Sequence, residues 1–403
     1  MITSNTQVRV LGASGTAMAL VTVAGWQAGG WRVGVGAMIG ILAGFALYHA
    51  SFGFTAAWRR FLRERRGAGL RAQFVLIVTT VAIAYPLMHY GRDFGIPVNG
   101  FVFPIGVALV VGAFMFGIGM QIANGCASGT LFTVGGGSSR MVVTLAAFVA
   151  GSVIATAHIP FWNSLPKEKG FSLIAQFGPF GAFAVTAGLL ALIALVSIRL
   201  EKRKHGALEE TGRAGSFLTG PWSLVLGAVA IAVVSIATLV VLGRPWGITS
   251  GFALWGAKIA YAMGIDVTGW EYWRGMKAAV TERSVFADAT SVMNFGIIAG
   301  AMAAAALAGK FRPKRSITAM EAATAIAGGL LMGYGARLSF GCNIGAYLGG
   351  IISGSLHGWI WFAFALAGSV AALPLRRLAG MDPARPQHAV TAPSGPVVAS
   401  VRK

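Results

Sequence analysis

The stretch Gly117-Ile118-Gly119-Met120-Gln121-Ile122-Ala123-Asn124-Gly125-Cys126-Ala127-Ser128-Gly129 decides the fold, because it recurs in outline as Gly333-Tyr334-Gly335-Ala336-Arg337-Leu338-Ser339-Phe340-Gly341-Cys342-Asn343-Ile344-Gly345. At a separation of 216 the pairs Gly117 and Gly333, Gly119 and Gly335, Gly125 and Gly341, and Gly129 and Gly345 coincide, and so do the only two cysteines of the chain. A second block, Gly40, Ile41, Gly44, Phe45, Ala46 and Leu47, returns as Gly247, Ile248, Gly251, Phe252, Ala253 and Leu254 at a separation of 207. Two blocks in one order at nearly one offset imply a duplicated unit of about 120 to 130 residues, a common build of membrane transporters.

Composition points the same way. Of 403 residues, 56% are hydrophobic and only 11% charged, with a mean hydropathy of +0.72. That is too little charge to cover a soluble surface, so an integral membrane protein is expected. The net charge of +20 is gathered at 59–71, 199–213, 310–315 and from 376 onward, in short clusters between apolar runs. Such clusters mark cytoplasmic loops and not a nucleic-acid face. No basic n-region with a small-residue cleavage site opens the chain, so the first apolar run is expected to stay as a membrane helix.

Runs near the ~20 residues that span a bilayer core centre on 11–26, 73–90, 104–123, 141–160, 180–200, 221–242, 291–308, 320–338 and 358–375. The pieces 34–47, 51–62, 126–134, 247–263 and 342–352 are shorter or broken by glycine, and read as half-helices or re-entrant segments. The fold class is therefore all-α and polytopic, with about nine transmembrane helices. Its parts are an N-terminal helix (1–33), a first repeat (34–160), a connecting helix and basic loop (161–220), a second repeat (221–375) and a disordered basic tail (376–403).

Placing the basic loops inside orients the rest. The 73–90 helix then runs outward and its repeat partner, the 291–308 helix, runs inward, so the two repeats are inverted. The N-terminus is expected outside and the C-terminus in the cytoplasm. Cys126 and Cys342 should approach the midplane from opposite faces, on non-helical backbone that survives at such depth only where protein buries it or water lines it.

These loops carry the candidate substrate contacts. Close helix packing alone accounts for small residues three or four apart. Here the glycines recur beside a cysteine and open onto short segments, which favours a lining role for Gly125, Cys126, Gly341 and Cys342. A thiol is small, polarizable and a weak donor, suited to a soft sulfur-bearing ligand. Half-helix N-termini at Cys126 with Ala127 and Ser128, and at Cys342 with Asn343, present free N–H groups to an anion. Arg337 and Lys258 are intramembrane cations, functional by default unless they bond loop carbonyls. Gln121 and Asn124 donate to ligand oxygens or tie the loop backbone, while Trp246, Trp255 and His49 read as interface or packing residues. No catalytic or nucleotide motif, cofactor fingerprint or clustered metal-ligand set is present, so neither an enzyme nor an ATP-driven pump is expected.

At these residues the chain resembles the YeeE/YedE family of bacterial inner-membrane sulfur transporters, which take up thiosulfate. The resemblance covers about residues 34–375 and rests on Gly125 with Cys126, Gly341 with Cys342, and the glycine-phenylalanine arms at Gly44 and Gly251. It implies an hourglass of inverted halves, with Cys126 and Cys342 holding a sulfur-bearing anion at the constriction and passing it inward. It departs at Phe52-Gly53-Phe54, where many members carry a cysteine after the phenylalanine. The expected partners are thiosulfate or a related small anion, the lipid bilayer and a cytoplasmic sulfur-carrier protein, with no nucleic acid. The alternatives are transport of another small anion or a selenium or sulfur species, a membrane docking subunit for that carrier protein, and a scaffold with inert cysteines.

Overall fold

In hydrocarbon every backbone N–H and C=O must find a partner within the chain, and helix is the local solution. The computed structural model describes residues 5–209, 211–212, 215–313 and 316–382, and is 77% helical with almost no strand. The first helices are α1 (Asn5–Gly29), α2 (Trp31–Ala50), α3 (Phe54–Glu64) and α4 (Ala68–Tyr90). Then come α5 (Val107–Ala123), α6 (Ala127–Gly135), α7 (Ser139–Ala157), the short α8 (Ile159–Ser164) and the long α9 (Leu173–His205). The remainder comprises α10 (Leu224–Leu242), α11 (Thr249–Ala262), α12 (Lys277–Thr281), α13 (Ala289–Leu307), α14 (Ala319–Leu338), α15 (Gly349–Ile352) and α16 (Leu356–Leu378). A π-helical turn, Asn343–Leu348, runs straight into α15.

Among the described residues nine helices are long and apolar enough to cross a membrane. The number agrees with the expectation, but the membership differs by one helix each way. The piece 34–47, expected to be a half-helix, lies inside the 20-residue α2, about 30 Å long at 1.5 Å per residue. Its glycines do not break it because they are packed: a Cβ on Gly40 would stand 2.4 Å from the Met293 carbonyl oxygen, and one on Gly44 2.1 Å from that of Ile297. Conversely α14, 20 residues long, is not among the nine spans; it is rich in alanine and glycine and carries Glu321 and Arg337.

Tight glycine crossings recur wherever long helices meet. On α13 and α2, Gly296 and Gly300 face Ala37 and Ile41 just as Gly40 and Gly44 face Met293 and Ile297. On α5 and α14, Gly112 meets Gly335 and Gly119 meets Gly328, each with a virtual Cβ under 3 Å from the other's backbone. Gly117 lies against Ala365 of α16, and Gly333 against Phe148 of α7. Small residues allow backbones to approach this closely where lipid offers no hydrophobic drive. Four of the recurring glycines, Gly117, Gly119, Gly333 and Gly335, therefore serve close packing; in the two cysteine stretches Gly125, Gly129, Gly341 and Gly345 remain as candidates to line a path.

The loops fall into two sets at opposite ends of the bundle. One holds the basic clusters: Arg60 pairs with Glu209 at 2.5 Å, Arg63 with Asp382 at 2.8 Å, and Arg59 donates to Asn124 at 2.7 Å. At the other end Ile105–Gly106 pairs antiparallel with Lys167–Glu168, and the Leu173 amide donates to the Gly354 carbonyl at 2.6 Å. Gln7 donates to the Phe311 carbonyl at 3.0 Å, in the third basic loop. Gln7 and Asp382 thus lie on the same, basic face, whereas the expectation placed the two ends of the chain on opposite sides; the terminal residues themselves lie outside the described residues. The cause is α2: a helix read as a half-span crosses fully and reverses α1. Arg376 and Arg377 close α16 and do not open the tail; residues 383–403, the rest of the expected disordered tail, lie outside the described residues.

On the basic face the fully buried Glu201 of α9 ties the turn between α3 and α4. It accepts from Arg71 at 2.7 Å, from Arg66 at 3.4 Å, from the Gly67 amide at 3.1 Å and from the Glu209 amide at 2.9 Å. Removing one member of a buried charge network leaves the others uncompensated, at about 3–5 kcal/mol. Glu201→Ala is expected to lower the melting temperature in detergent clearly, whereas Glu64→Ala, half exposed in an i,i+4 pair, should leave it nearly unchanged.

Candidate functional site

Each cysteine begins a short helix. Cys126 has extended backbone (φ −87°, ψ −173°) and caps α6; its carbonyl accepts from the Thr130 amide at 2.7 Å and the Thr130 hydroxyl at 2.9 Å. Cys342 does the same for the turn Asn343–Leu348, its carbonyl accepting from the Ala346 amide at 2.8 Å and the Tyr347 amide at 3.3 Å. In neither helix does a side chain cap the first turn, which is the positive end of the helix; at the second, the Ile344 and Gly345 amides face the Cys342 sulfur. Both thiols are free, with the cysteines 1% exposed.

The two short helices come from opposite ends of the molecule and meet. The segment before α6 is held on the basic face by Arg59 on Asn124, and the one after it lies there too, with Gly137 against Phe311 and Pro313. The Cys342 segment belongs to the other end: Ser353, just past α15, accepts from the Phe101 amide at 2.7 Å. The Cys342 turn packs against α6. It is fixed from behind by Tyr347, whose ring stacks on Phe362 at 5.0 Å and meets Trp58 at 6.0 Å and Phe54 at 6.2 Å. Trp361 donates to the Ser339 hydroxyl at 2.9 Å, and that hydroxyl donates to Gly335 at 2.7 Å, anchoring the loop before the cysteine.

Above Cys342, at the end away from the basic loops, opens a cavity of about 460 Å³ with Gly341 and Gly345 in its wall. Its cations are Arg244 and Arg337, its hydroxyls Thr249, Ser250 and Tyr272, and no acidic side chain lines it among the described residues. Arg337 is held in place by donation to Tyr272 at 2.5 Å and Thr249 at 3.2 Å, with its Nε left without a partner. Arg244 donates to Thr290 at 2.9 Å. Two guanidinium groups without a facing carboxylate make this an anion-attracting vestibule. Among the residues of the cavity and turn that sequence reasoning did not single out are Arg244, Tyr272 and Tyr347. Arg244 had a signal, a cation beside the second glycine-phenylalanine arm; the tyrosines had none, since they reach the site only through folding.

The other expected residues divide clearly. Asn343 is fully buried, and neither its amide nitrogen nor its carbonyl oxygen has a partner. Such an orphaned amide is costly and fits a ligand contact. Cys126 lies 3.4 Å from the Ser128 hydroxyl, with Ala127 buried between them. Gln121 is buried, reaches the Thr55 carbonyl only at 3.4 Å, and leaves its oxygen unbonded. Asn124 is exposed and serves as a left-handed C-cap held by Arg59, a loop tie and not a lining residue. Lys258 is not brought to the site. Its ammonium donates to the Val280 carbonyl at 3.0 Å and the Arg283 carbonyl at 2.7 Å, which satisfies the charge structurally. Trp255 packs as expected, stacked on Phe295 at 4.8 Å, whereas the Trp246 indole N–H is buried without a partner.

A family model described as "Sulphur transport" matches residues 49–371. The chain is similar to the probable transporter YedE of Salmonella typhimurium, 31% identical over 146 residues, a match that covers 36% of this chain and 35% of YedE's own length. It is similar over far more of its length to the thiosulfate transporter TsuA of Spirochaeta thermophila, 27% identical over 83% of this chain and 96% of that protein. The TsuA of Escherichia coli is 24% identical over 83% of this chain and 91% of its own length. With nine helices among its described residues able to span a membrane and a family match that runs through both cysteine segments, this polytopic chain belongs to the Sulphur transport family.

Proposed function

We propose that the protein carries thiosulfate, or a closely related small sulfur anion, across the bacterial inner membrane into the cytoplasm, through a constriction formed by Cys126 and Cys342. The observation that carries this reading is the stack at Cys342. An arginine-lined cavity ends on Gly341 and Gly345, and just behind that wall lie a free thiol and an orphaned Asn343 amide, against the helix that Cys126 caps. Each feature answers one property of the substrate. The guanidinium groups draw a dianion from solvent, uncapped helix N-termini receive it without a fixed charge that would trap it, and a thiol suits its soft terminal sulfur.

In this reading the two cysteine segments are inverted halves related by an axis in the membrane plane, and the basic face is cytoplasmic by its charge. Arg244 and Arg337 gather the anion, Cys342 with Asn343 receives it, and Cys126 with the first turn of α6 passes it on toward the basic face. The similarity to TsuA over most of the chain favours thiosulfate among sulfur anions.

The test is radiotracer uptake in cells lacking other sulfur importers. The wild-type chain should confer thiosulfate uptake. Cys342→Ala and Asn343→Ala should each slow it about tenfold to a hundredfold, the loss of one hydrogen bond to a charged ligand at about 1.5–3 kcal/mol. Arg337→Gln should act mainly on the concentration needed for half-maximal uptake, and Lys258→Gln should have little effect on either parameter. No uptake by the wild-type chain sinks the reading.

A further inference from the structure

A second cavity, of about 370 Å³, opens on the basic face at the far end of α6 from Cys126, about 13 Å along a nine-residue helix. Tyr48, Ser51, Thr133, Ser138 and Thr219 contribute hydroxyls to its wall, and Lys310 and Arg312 contribute charge. Neither cation pairs with a carboxylate among the described residues, and no acidic side chain lines the cavity there. Ser138 is also the residue from which the 19-residue α7 starts, so the positive end of that helix opens on the same space.

The independent sign of a ligand is His49. It lines the cavity, is 4% exposed, and its Nε2 has no partner. The ring is not idle packing: it stacks on Trp222 at 5.7 Å and meets Phe45 edge-on at 4.4 Å. Its Nδ1 stands so close to Gly220 that a Cβ there would lie 2.5 Å away. The Leu218 backbone bonds the ring from the 215–221 turn, while Nε2 is left buried and unbonded at the wall of a basic cavity. An imidazole fixed in this way, with two cations that are unpaired among the described residues and five hydroxyls, matches a tetrahedral oxyanion that accepts hydrogen bonds on several sides.

We infer that this cavity is a phosphate-type oxyanion site on the basic face, separate from the cysteine constriction and formed by His49, Lys310, Arg312, Ser138 and Thr133. Its ligand is either a free anion such as inorganic phosphate or the phosphate of an anionic lipid headgroup, since the chemistry of the two is the same at the protein.

The experiment uses the full chain in nanodiscs of zwitterionic phosphatidylcholine, titrated with inorganic phosphate at constant ionic strength, with the melting temperature as readout. Phosphate should raise the melting temperature of the wild type and, equally, of the Cys126→Ala, Cys342→Ala double variant, so that the result stands whether or not the transport reading does. The Lys310→Gln, Arg312→Gln double variant should need at least about tenfold more phosphate for the same rise, by loss of two charge-assisted contacts, and His49→Gln should weaken it independently. In a second arm, nanodiscs containing phosphatidylglycerol should either leave the phosphate response intact, which assigns a free anion, or raise the melting temperature by themselves and remove that response, which assigns a headgroup. Stabilisation by neither probe, or an equal response in the charge-removed variant, overturns the site. Loss of the response in the double-cysteine variant overturns its separateness from the transport path.

Discussion

Gly341→Ala is expected to bring thiosulfate uptake to background, while Gly125→Ala, the same change at the twin position, should leave it within about twofold. Gly341 has φ +155°, and a Cβ there would stand 2.8 Å from the Ala346 amide nitrogen and 3.0 Å from the Gly345 carbonyl carbon. That amide closes the turn by donating to the Cys342 carbonyl. A side chain at 341 therefore strains its own backbone, at about 1–3 kcal/mol, and pushes apart the bond that holds the thiol and Asn343 in place. Gly125 has no such constraint: its virtual Cβ finds Met141 sulfur at 3.5 Å and Thr130 at 3.7 Å, ordinary contacts. Uptake rate and protein level in the membrane, measured together, check both halves. Equal effects at the two positions would show that the asymmetry of the two turns is irrelevant to transport.

The largest loss of stability is expected from valine at Gly44 or Gly300. These glycines sit where α2 crosses α13, with virtual Cβ atoms 2.1 Å from the carbonyl oxygens of Ile297 and Ile41 respectively. The neighbour in each case is backbone, which has no rotamer to change, so the helices must separate. Overpacking costs about 1–3 kcal/mol and more where nothing can relax. Parting two helices along their length also forfeits the adjacent close contacts at Gly40 and Gly296. Either variant should reach the membrane poorly or melt far below the wild type by size-exclusion monitoring. Gly188→Val, on α9 with nothing within 4 Å, should shift the melting temperature little. A stable Gly44→Val protein would mean that this crossing does not hold the fold.

The same residue type thus plays two parts in one repeated pattern. Gly117, Gly119, Gly333 and Gly335 occupy matching places in the two stretches and pack against backbone, while Gly341 and Gly345 line a cavity. Spacing alone treats them alike, because a sequence pattern records which residues recur and not which neighbour each one meets. Lys258 and Arg337 make the same point among cations. Both are charges near an apolar arm, yet the partners of Lys258 are carbonyls 22 and 25 residues away on the loop around Arg283, and Arg337 faces the vestibule. For α2 the local propensity of glycine argued for a break, and packing against α13 overrode it, reversing α1 and carrying Gln7 to the basic face.

Composition and hydropathy alone specify an all-helical membrane protein and the number of described helices that are apolar enough to span. Those properties follow from composition and period, and each residue contributes to them independently of its distant neighbours. Which helices those spans are, and that α1 starts on the basic face, is seen only in the tertiary structure. It alone showed that the Cys342 turn meets the Cys126 helix beneath two arginines, and that Asn343 and His49 are buried without partners. The reason is that burial and hydrogen-bond satisfaction are properties of contacts between segments hundreds of residues apart, such as Gly117 with Ala365, and no local pattern encodes which atoms will fill that space.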